Sequence, residues 1–183
     1  MQSLLSLYRA ATKGSHDSLD AAFGSLDLSN RADYVRFLRG HAMGLASIFD
    51  GFRRFVEEDL HLACPDYPAM LADDLTKVGV DARDLRSVSP AGEVSQRAAG
   101  YVIAGSRLGL AALARSGYWG RTHALPSTYM DDRQGLAIWK HTAAKLKQVV
   151  PDEARAERES SSAITVFDTF RDAFAASAPA AVR

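Results

Sequence analysis

The 183-residue chain contains a single cysteine, Cys64, so no disulfide can form within it. Its 22 basic and 22 acidic residues cancel, which leaves no overall field to attract nucleic acid or an anionic membrane. No apolar run approaches the roughly 18 residues of a membrane-spanning helix, and the N-terminal stretch has no signal-peptide pattern. We therefore expect a cytoplasmic protein with neither a membrane nor a nucleic acid as partner.

Common catalytic signatures are also missing from the chain. It has no glycine-rich phosphate loop after a strand, no paired-cysteine metal motif and no His-Glu-x-x-His sequence. The five histidines are scattered. Any chemistry must therefore come from individual side chains brought together by the fold.

Apolar residues recur at spacings of three and four, and valine and isoleucine never form alternating runs. These patterns predict an all-α protein, and the lack of a repeat or linker predicts one domain over 1–183. Asn30 is a good N-cap, and the prolines of CPDYP break the chain. The predicted helices span 2–23, 30–60, 69–77, 91–115, 131–149 and 152–176.

The first predicted helix carries polar side chains along one side. Arg9, Thr12, His16 and Asp20 follow one another at spacings of three and four, which places them on neighbouring turns. Asp20 lies one turn beyond His16 and is placed to steer the imidazole, as carboxylates steer metal-bound histidines. Taken alone, a histidine near a helix surface is more often solvated or structural than a metal ligand.

A second feature is the glycine-rich segment GYVIAGSRLGLAAL, residues 100–113. Gly105 and Gly109 are four residues apart, so they lie on the same face of a helix and leave it without side chains there. A flat ligand could lie against the backbone of that face. The alternative is that the two glycines serve close packing between helices, for which this spacing is a common signal.

At these two segments the sequence resembles the bacterial biliverdin-producing heme oxygenases. RAATKGSHDSLDAAF is similar to the proximal helix of that family, and YVIAGSRLGLAALAR to its distal helix, usually YVLEGSxLGG. The segments YVRFLRGHAMGL, YPAMLADDLTKVG and LPSTYMDDRQGLAIWKHTAAKL resemble the other parts of the family pattern. The likeness therefore runs in order along nearly the whole chain.

The resemblance implies a compact heme oxygenase-like helical fold, with heme between the first helix and the glycine-bearing distal helix. It makes His16 the ligand of the iron, places Arg9 at a heme propionate, and includes Thr12 among the cofactor-binding residues. The distal wall, to which the resemblance gives both heme-binding and catalytic roles, consists of Gly105, Ser106 and Gly109.

The implied activity is the oxidative cleavage of heme to biliverdin, carbon monoxide and ferrous iron. Heme is then both cofactor and substrate, O2 is the oxidant, and a separate reductase or ferredoxin supplies electrons. A photoreceptor that uses biliverdin is one candidate recipient of the product. Two positions depart from the family pattern, since Ala104 replaces a common glutamate and Leu110 a usual glycine. A non-catalytic heme carrier or sensor, and a helical interaction protein without heme, are the alternatives.

The other histidines carry weaker predictions. His41 lies on the most apolar side of the second helix, so we interpret it as part of the core or of a pocket wall. His61, His123 and His141 lie near loops or on polar helix faces and should be solvated. Arg171 is one of several basic residues that could meet a second propionate.

Overall fold

The computed structural model describes residues 2–178, and within them the chain forms helices and no β-strand. The α-helices are α1 (Leu4–Gly24), α2 (Arg31–Leu45), α3 (Phe49–Arg54), α4 (Tyr67–Lys77), α5 (Gln96–Ser116), α6 (Trp119–Thr122), α7 (Gln134–Gln148) and α8 (Glu153–Ala176). A π-helical turn, Phe55–Asp59, follows α3, and a 3-10 turn, Ala82–Asp84, precedes α5. The all-α class is confirmed. No helix among residues 2–178 has the length and apolar character needed to cross a bilayer.

Side-chain caps set where several helices begin. The Asn30 side chain accepts a hydrogen bond from the backbone N–H of Ala32, as its N-cap role predicts. Ser95 caps α5 by accepting from the Ala98 N–H at 3.0 Å. The predicted start of this helix at residue 91 is therefore five residues too early, because the cap decides where α5 begins.

The continuous helix predicted over 30–60 is wrong. The α-helix ends at Leu45, a turn follows in which the Ile48 N–H donates to the Leu45 carbonyl at 3.1 Å, and a new α-helix begins at Phe49. The Ser47 hydroxyl donates to the Val88 carbonyl at 2.6 Å, and the Val88 N–H donates to the Met43 carbonyl at 3.3 Å. The turn is thus tied to a segment more than forty residues away, while buried apolar residues continue on both sides of it.

Helix α8 is the central packing element, since α1, α2 and α5 all lie against it. Helices α1 and α5 meet where the rings of Tyr8 and Tyr101 pack at a centroid distance of 4.9 Å. Helix α1 runs unbroken through Gly14 and ends at Gly24. Beyond Tyr101 a cavity separates the two helices, and this cavity is the candidate site.

Candidate functional site

The cavity has a volume of about 560 Å³ and lies between α1 and α5, with further walls from α2, α7 and α8. This volume falls within the range of small-molecule pockets in proteins. Its lining residues are Arg9, Thr12, Lys13, His16, Asp17, Leu19, Asp20, Phe23, Phe37, His41, Tyr101, Val102, Gly105, Ser106, Leu108, Gly109, Leu110, Leu113, Trp139, Phe167 and Phe170. The slot expected between the first helix and the glycine-bearing helix is therefore an open pocket.

The two parts of the pocket differ in exposure and chemistry. We call the exposed part the mouth; it comprises Arg9, Lys13, His16, Asp17 and Asp20 on α1 and Leu108 and Leu113 on α5. We call the other part the inner end; it comprises Phe23, Phe37, His41 and Phe170. Charge is concentrated at the mouth, whereas aromatic rings surround the inner end.

His16 stands at the mouth with 55% of its side chain exposed. Its Nδ1 lies 3.1 Å from Oδ2 of Asp20, so the direct contact expected from their spacing is present. The imidazole also faces the ring of Phe167 at a centroid distance of 5.8 Å. Because Asp20 engages Nδ1, Nε2 is the nitrogen left to bind a metal or another ligand.

The cations at the mouth are Arg9 and Lys13, both exposed and both within two helical turns of His16. Lys13 was missed by the sequence reasoning, although it lies three residues before His16 on the same helix. Arg171 is not a lining residue, because it pairs with Asp168 at 2.6 Å on its own helix. Arg9 and Lys13 are therefore the positive charges that an anionic ligand would meet.

Thr12 lies between the mouth and the contact of α1 with α5. Its side chain is buried, and its hydroxyl donates to the Tyr8 carbonyl at 2.7 Å. The same oxygen lies 3.5 Å from the hydroxyl of Tyr101. Thr12 therefore lines the pocket, but its hydroxyl donates its hydrogen bond to a residue of its own helix, α1.

The residues predicted to form the distal wall all line the pocket, but they differ in detail. A Cβ added at Gly109 would meet nothing within 4 Å, so bare backbone faces open space there. A Cβ at Gly105 would lie 3.4 Å from the Trp139 ring, at van der Waals distance. The Ser106 hydroxyl donates to the Ile103 carbonyl at 2.8 Å. Gly105 thus packs beside Trp139, whereas no residue packs where a side chain at Gly109 would begin.

The two departures from the family pattern lie in different surroundings. Ala104 is fully buried and is not among the lining residues, so it faces the protein core. Leu110 is also buried, but its side chain forms part of the pocket wall. Only the second departure changes the shape of the pocket.

The interpretation of His41 as core or pocket lining is confirmed. Only 7% of the residue is exposed, and its Nδ1 lies 2.9 Å from the Phe37 carbonyl oxygen. Its ring packs against Phe37 at 4.3 Å and Phe23 at 4.8 Å between centroids. Burial lowers the pKa of His41 to about 4, against the favourable bond to Phe37. The residue is therefore neutral at physiological pH.

Arg107 is a buried cation close enough to the inner end to act on His41. The guanidinium of Arg107 lies 4.6 Å from the ring centroid of Tyr67 and 4.7 Å from that of Tyr129. It donates to the Tyr129 carbonyl at 2.6 Å and pairs with Asp132 at 3.5 Å. Its positive charge further lowers the pKa of His41.

The remaining histidines, His61, His123 and His141, are exposed, as expected. Within residues 2–178, no three side chains of His, Cys, Asp or Glu converge as a metal site would require. No protein-family model matches the chain, and no curated protein matches its sequence. The candidate site is an apolar slot whose mouth carries the imidazole of His16, the cations Arg9 and Lys13, and the carboxylates Asp17 and Asp20.

Proposed function

We propose that the chain binds heme through Nε2 of His16 and cleaves it oxidatively to biliverdin, as the heme oxygenases that it resembles do. The observation that carries this proposal is the position of His16. Its Nδ1 is engaged by Asp20, and Nε2 is left available at a slot whose opposite helix exposes backbone at Gly109. A histidine whose other ring nitrogen faces a carboxylate is a common kind of metal ligand.

The lining residues fit the chemistry of heme. The walls are largely apolar, as a porphyrin face requires, and the cations Arg9 and Lys13 at the mouth suit two propionates. Heme, when bound, would supply the iron for oxygen chemistry and the porphyrin ring that is oxidised. Arg9, Lys13 and His16 would hold it, with Gly105, Ser106 and Gly109 on the opposite side.

The chain's own residues have clear tasks in this proposal. Asp20 would orient the His16 ring through the contact of its Oδ2 with Nδ1 at 3.1 Å. The missing side chain at Gly109 leaves room for O2 and for water, which would have to deliver protons because the distal segment of α5 offers no acidic group. Electrons would come from a reductase or ferredoxin, and a cytoplasmic location belongs to the same proposal.

A hemin titration tests the binding step. We expect the wild-type protein to give a Soret band of histidine-ligated heme, and His16→Ala to lose that band. His141→Ala is the matched control, because His141 is exposed on α7 and does not line the pocket. An unchanged Soret band in His16→Ala would refute the ligand assignment, and no Soret band in the wild type would favour the interaction protein without heme.

A second candidate function is a heme carrier or sensor that binds heme without turnover. Leu110 favours it, because this buried side chain occupies pocket wall where the family usually has glycine. Supplying the hemin complex with ferredoxin, its reductase and O2 separates the two functions. We expect biliverdin absorbance to appear; a stable heme spectrum in the wild type, with turnover gained in Leu110→Gly, would establish the carrier or sensor instead.

A further inference from the structure

The inner end of the pocket contains a nitrogen atom whose protonation state is fixed by its surroundings. The Phe37 carbonyl can only accept a hydrogen bond, so Nδ1 of His41, 2.9 Å away, carries the proton. Nε2 then carries a lone pair; the hydrogen bond that His41 makes to a residue among 2–178 is through Nδ1, and Nε2 is not one of the atoms sealed inside the protein without a partner. His41 lines the pocket, so this lone pair is an acceptor without a protein partner.

The surroundings keep His41 in this state. Aromatic rings face the imidazole from three helices: Phe23 from α1, Phe37 from α2 and Phe170 from α8. The ring of Tyr129 lies 5.5 Å away, and the charge that acts on His41 from behind is the cation Arg107. No carboxylate is hydrogen-bonded to the ring, and the bond to the Phe37 carbonyl, which favours the imidazolium, does not offset the effect of burial.

His141 shows what is special about this position. It makes the same local bond, from Nδ1 to the carbonyl four residues earlier, at the same distance of 2.9 Å. His141 is exposed, so water can form a hydrogen bond to its Nε2, whereas His41 is buried among aromatic rings. The partner of Nε2 must therefore come from the contents of the pocket, and a hydrogen bond donated to it among apolar rings is stronger than one made in water.

We propose that the inner end of the pocket is a subsite for a small neutral ligand that carries one O–H or N–H donor. Nε2 of His41 accepts the donor's hydrogen bond, and the apolar body of the ligand lies among Phe23, Phe37 and Phe170. Water is the smallest such donor, and a phenol is the simplest that also fills the space between the rings. This proposal does not depend on heme binding.

Phenol and toluene form a matched pair of probes, because they share a shape and differ in the donor. Their Kd values are measured on the heme-free full chain, for the wild type and for His41→Phe, which keeps a ring but removes the acceptor. We expect the ratio of the toluene Kd to the phenol Kd to fall roughly 2- to 10-fold in the variant, the worth of one hydrogen bond. An unchanged ratio, or no phenol binding to the wild type, overturns the proposal.

Nitrogen-15 NMR of the wild type gives a second test that needs no variant. We expect phenol, but not toluene, to shift the Nε2 resonance of His41 and to leave that of His141 unchanged. A shift caused equally by both probes, or seen at His141 alone, would place phenol elsewhere and overturn the assignment. The test runs without hemin, so its outcome is separate from the fate of the heme proposal.

Discussion

The mouth and the inner end of one pocket each hold a histidine, and the two side chains have opposite surroundings. His16 is 55% exposed with a carboxylate beside Nδ1, whereas His41 is 7% exposed with a carbonyl beside Nδ1. A carboxylate partner holds an imidazole in one orientation, which suits a metal ligand. A carbonyl partner within an apolar shell fixes the tautomer and suppresses charge. The surroundings, more than the residue type, therefore set what each histidine can do.

The inner end and the mouth also differ in how much their residues contribute to the stability of the protein. The inner end is built from buried rings that also belong to the core, as Phe37 and Phe170 do. The mouth is built from exposed side chains that pack against little, such as Leu108 at 50% exposure. Substitutions of the rings at the inner end should therefore lower the free energy of unfolding, whereas substitutions at the mouth should change heme binding with little effect on stability.

The largest effect is expected at the inner end. Phe37→Ala removes a buried ring that contacts Phe23 and His41, and should lower the free energy of unfolding by about 3–5 kcal/mol. Urea denaturation measures this loss. Leu108→Ala at the mouth is the control and should cost less than ~1 kcal/mol. Equal losses in the two variants would remove the distinction between the two parts of the pocket.

The next effect is a pH dependence caused by His41. Its pKa is about 4 in the folded protein and 6.5 when unfolded, so between these values the unfolded chain binds the proton and the folded chain does not. We compare the free energy of unfolding of the wild type with that of His41→Phe. The difference should be constant above pH 6.5, and the wild type should lose about 3 kcal/mol relative to the variant as the pH drops to 4. Denaturation of both proteins across this range measures the difference. Parallel pH profiles would show that His41 titrates normally.

A substitution at Gly109, on the α5 wall of the pocket, should give a smaller effect of opposite sign. Gly109→Ala adds a methyl group that meets nothing within 4 Å in the middle of α5, and should stabilise the protein by up to about 1 kcal/mol. Gly100→Ala in the same helix is the contrast, because its Cβ would collide with the ring of Phe55 and destabilise the protein. Thermal denaturation compares the two variants, and a destabilised Gly109→Ala would mean that the slot is not open.

The smallest change in stability is expected for Asp20→Asn. The pair with His16 is exposed, so its loss should change the free energy of unfolding by less than ~1 kcal/mol. The substitution should nevertheless shift the nitrogen-15 resonances of His16, because Nδ1 loses its carboxylate partner. Resonances that match those of the wild type would show that the contact is not formed in solution.

Local sequence signals were sufficient for some of these features. Helical periodicity predicted the main helices, and the four-residue spacing within α1 predicted the contact of His16 with Asp20. The break after Leu45 was missed because it depends on hydrogen bonds to Val88, far along the chain. The separate surroundings of Ala104 and Leu110 likewise depend on which neighbours pack against α5.

The environment of His41 could be predicted only in part. Its apolar neighbours at helical spacing indicated burial, and that prediction is confirmed. The apolar rings around His41 come in part from α1 and α8, and no pattern within α2 reveals those contacts. Lys13 needed no tertiary information, because its place on the His16 helix is visible in the spacing.

The exposure of the mouth also affects how a ligand would enter and leave the pocket. An occupant held beside His16 would keep one edge in contact with water, since Leu108 and Leu113 leave that rim uncovered. Loading and release would then proceed by diffusion at the rim, without the core having to open. An electron-carrying protein could likewise approach that edge directly, and the rate of exchange would depend on encounters at the surface.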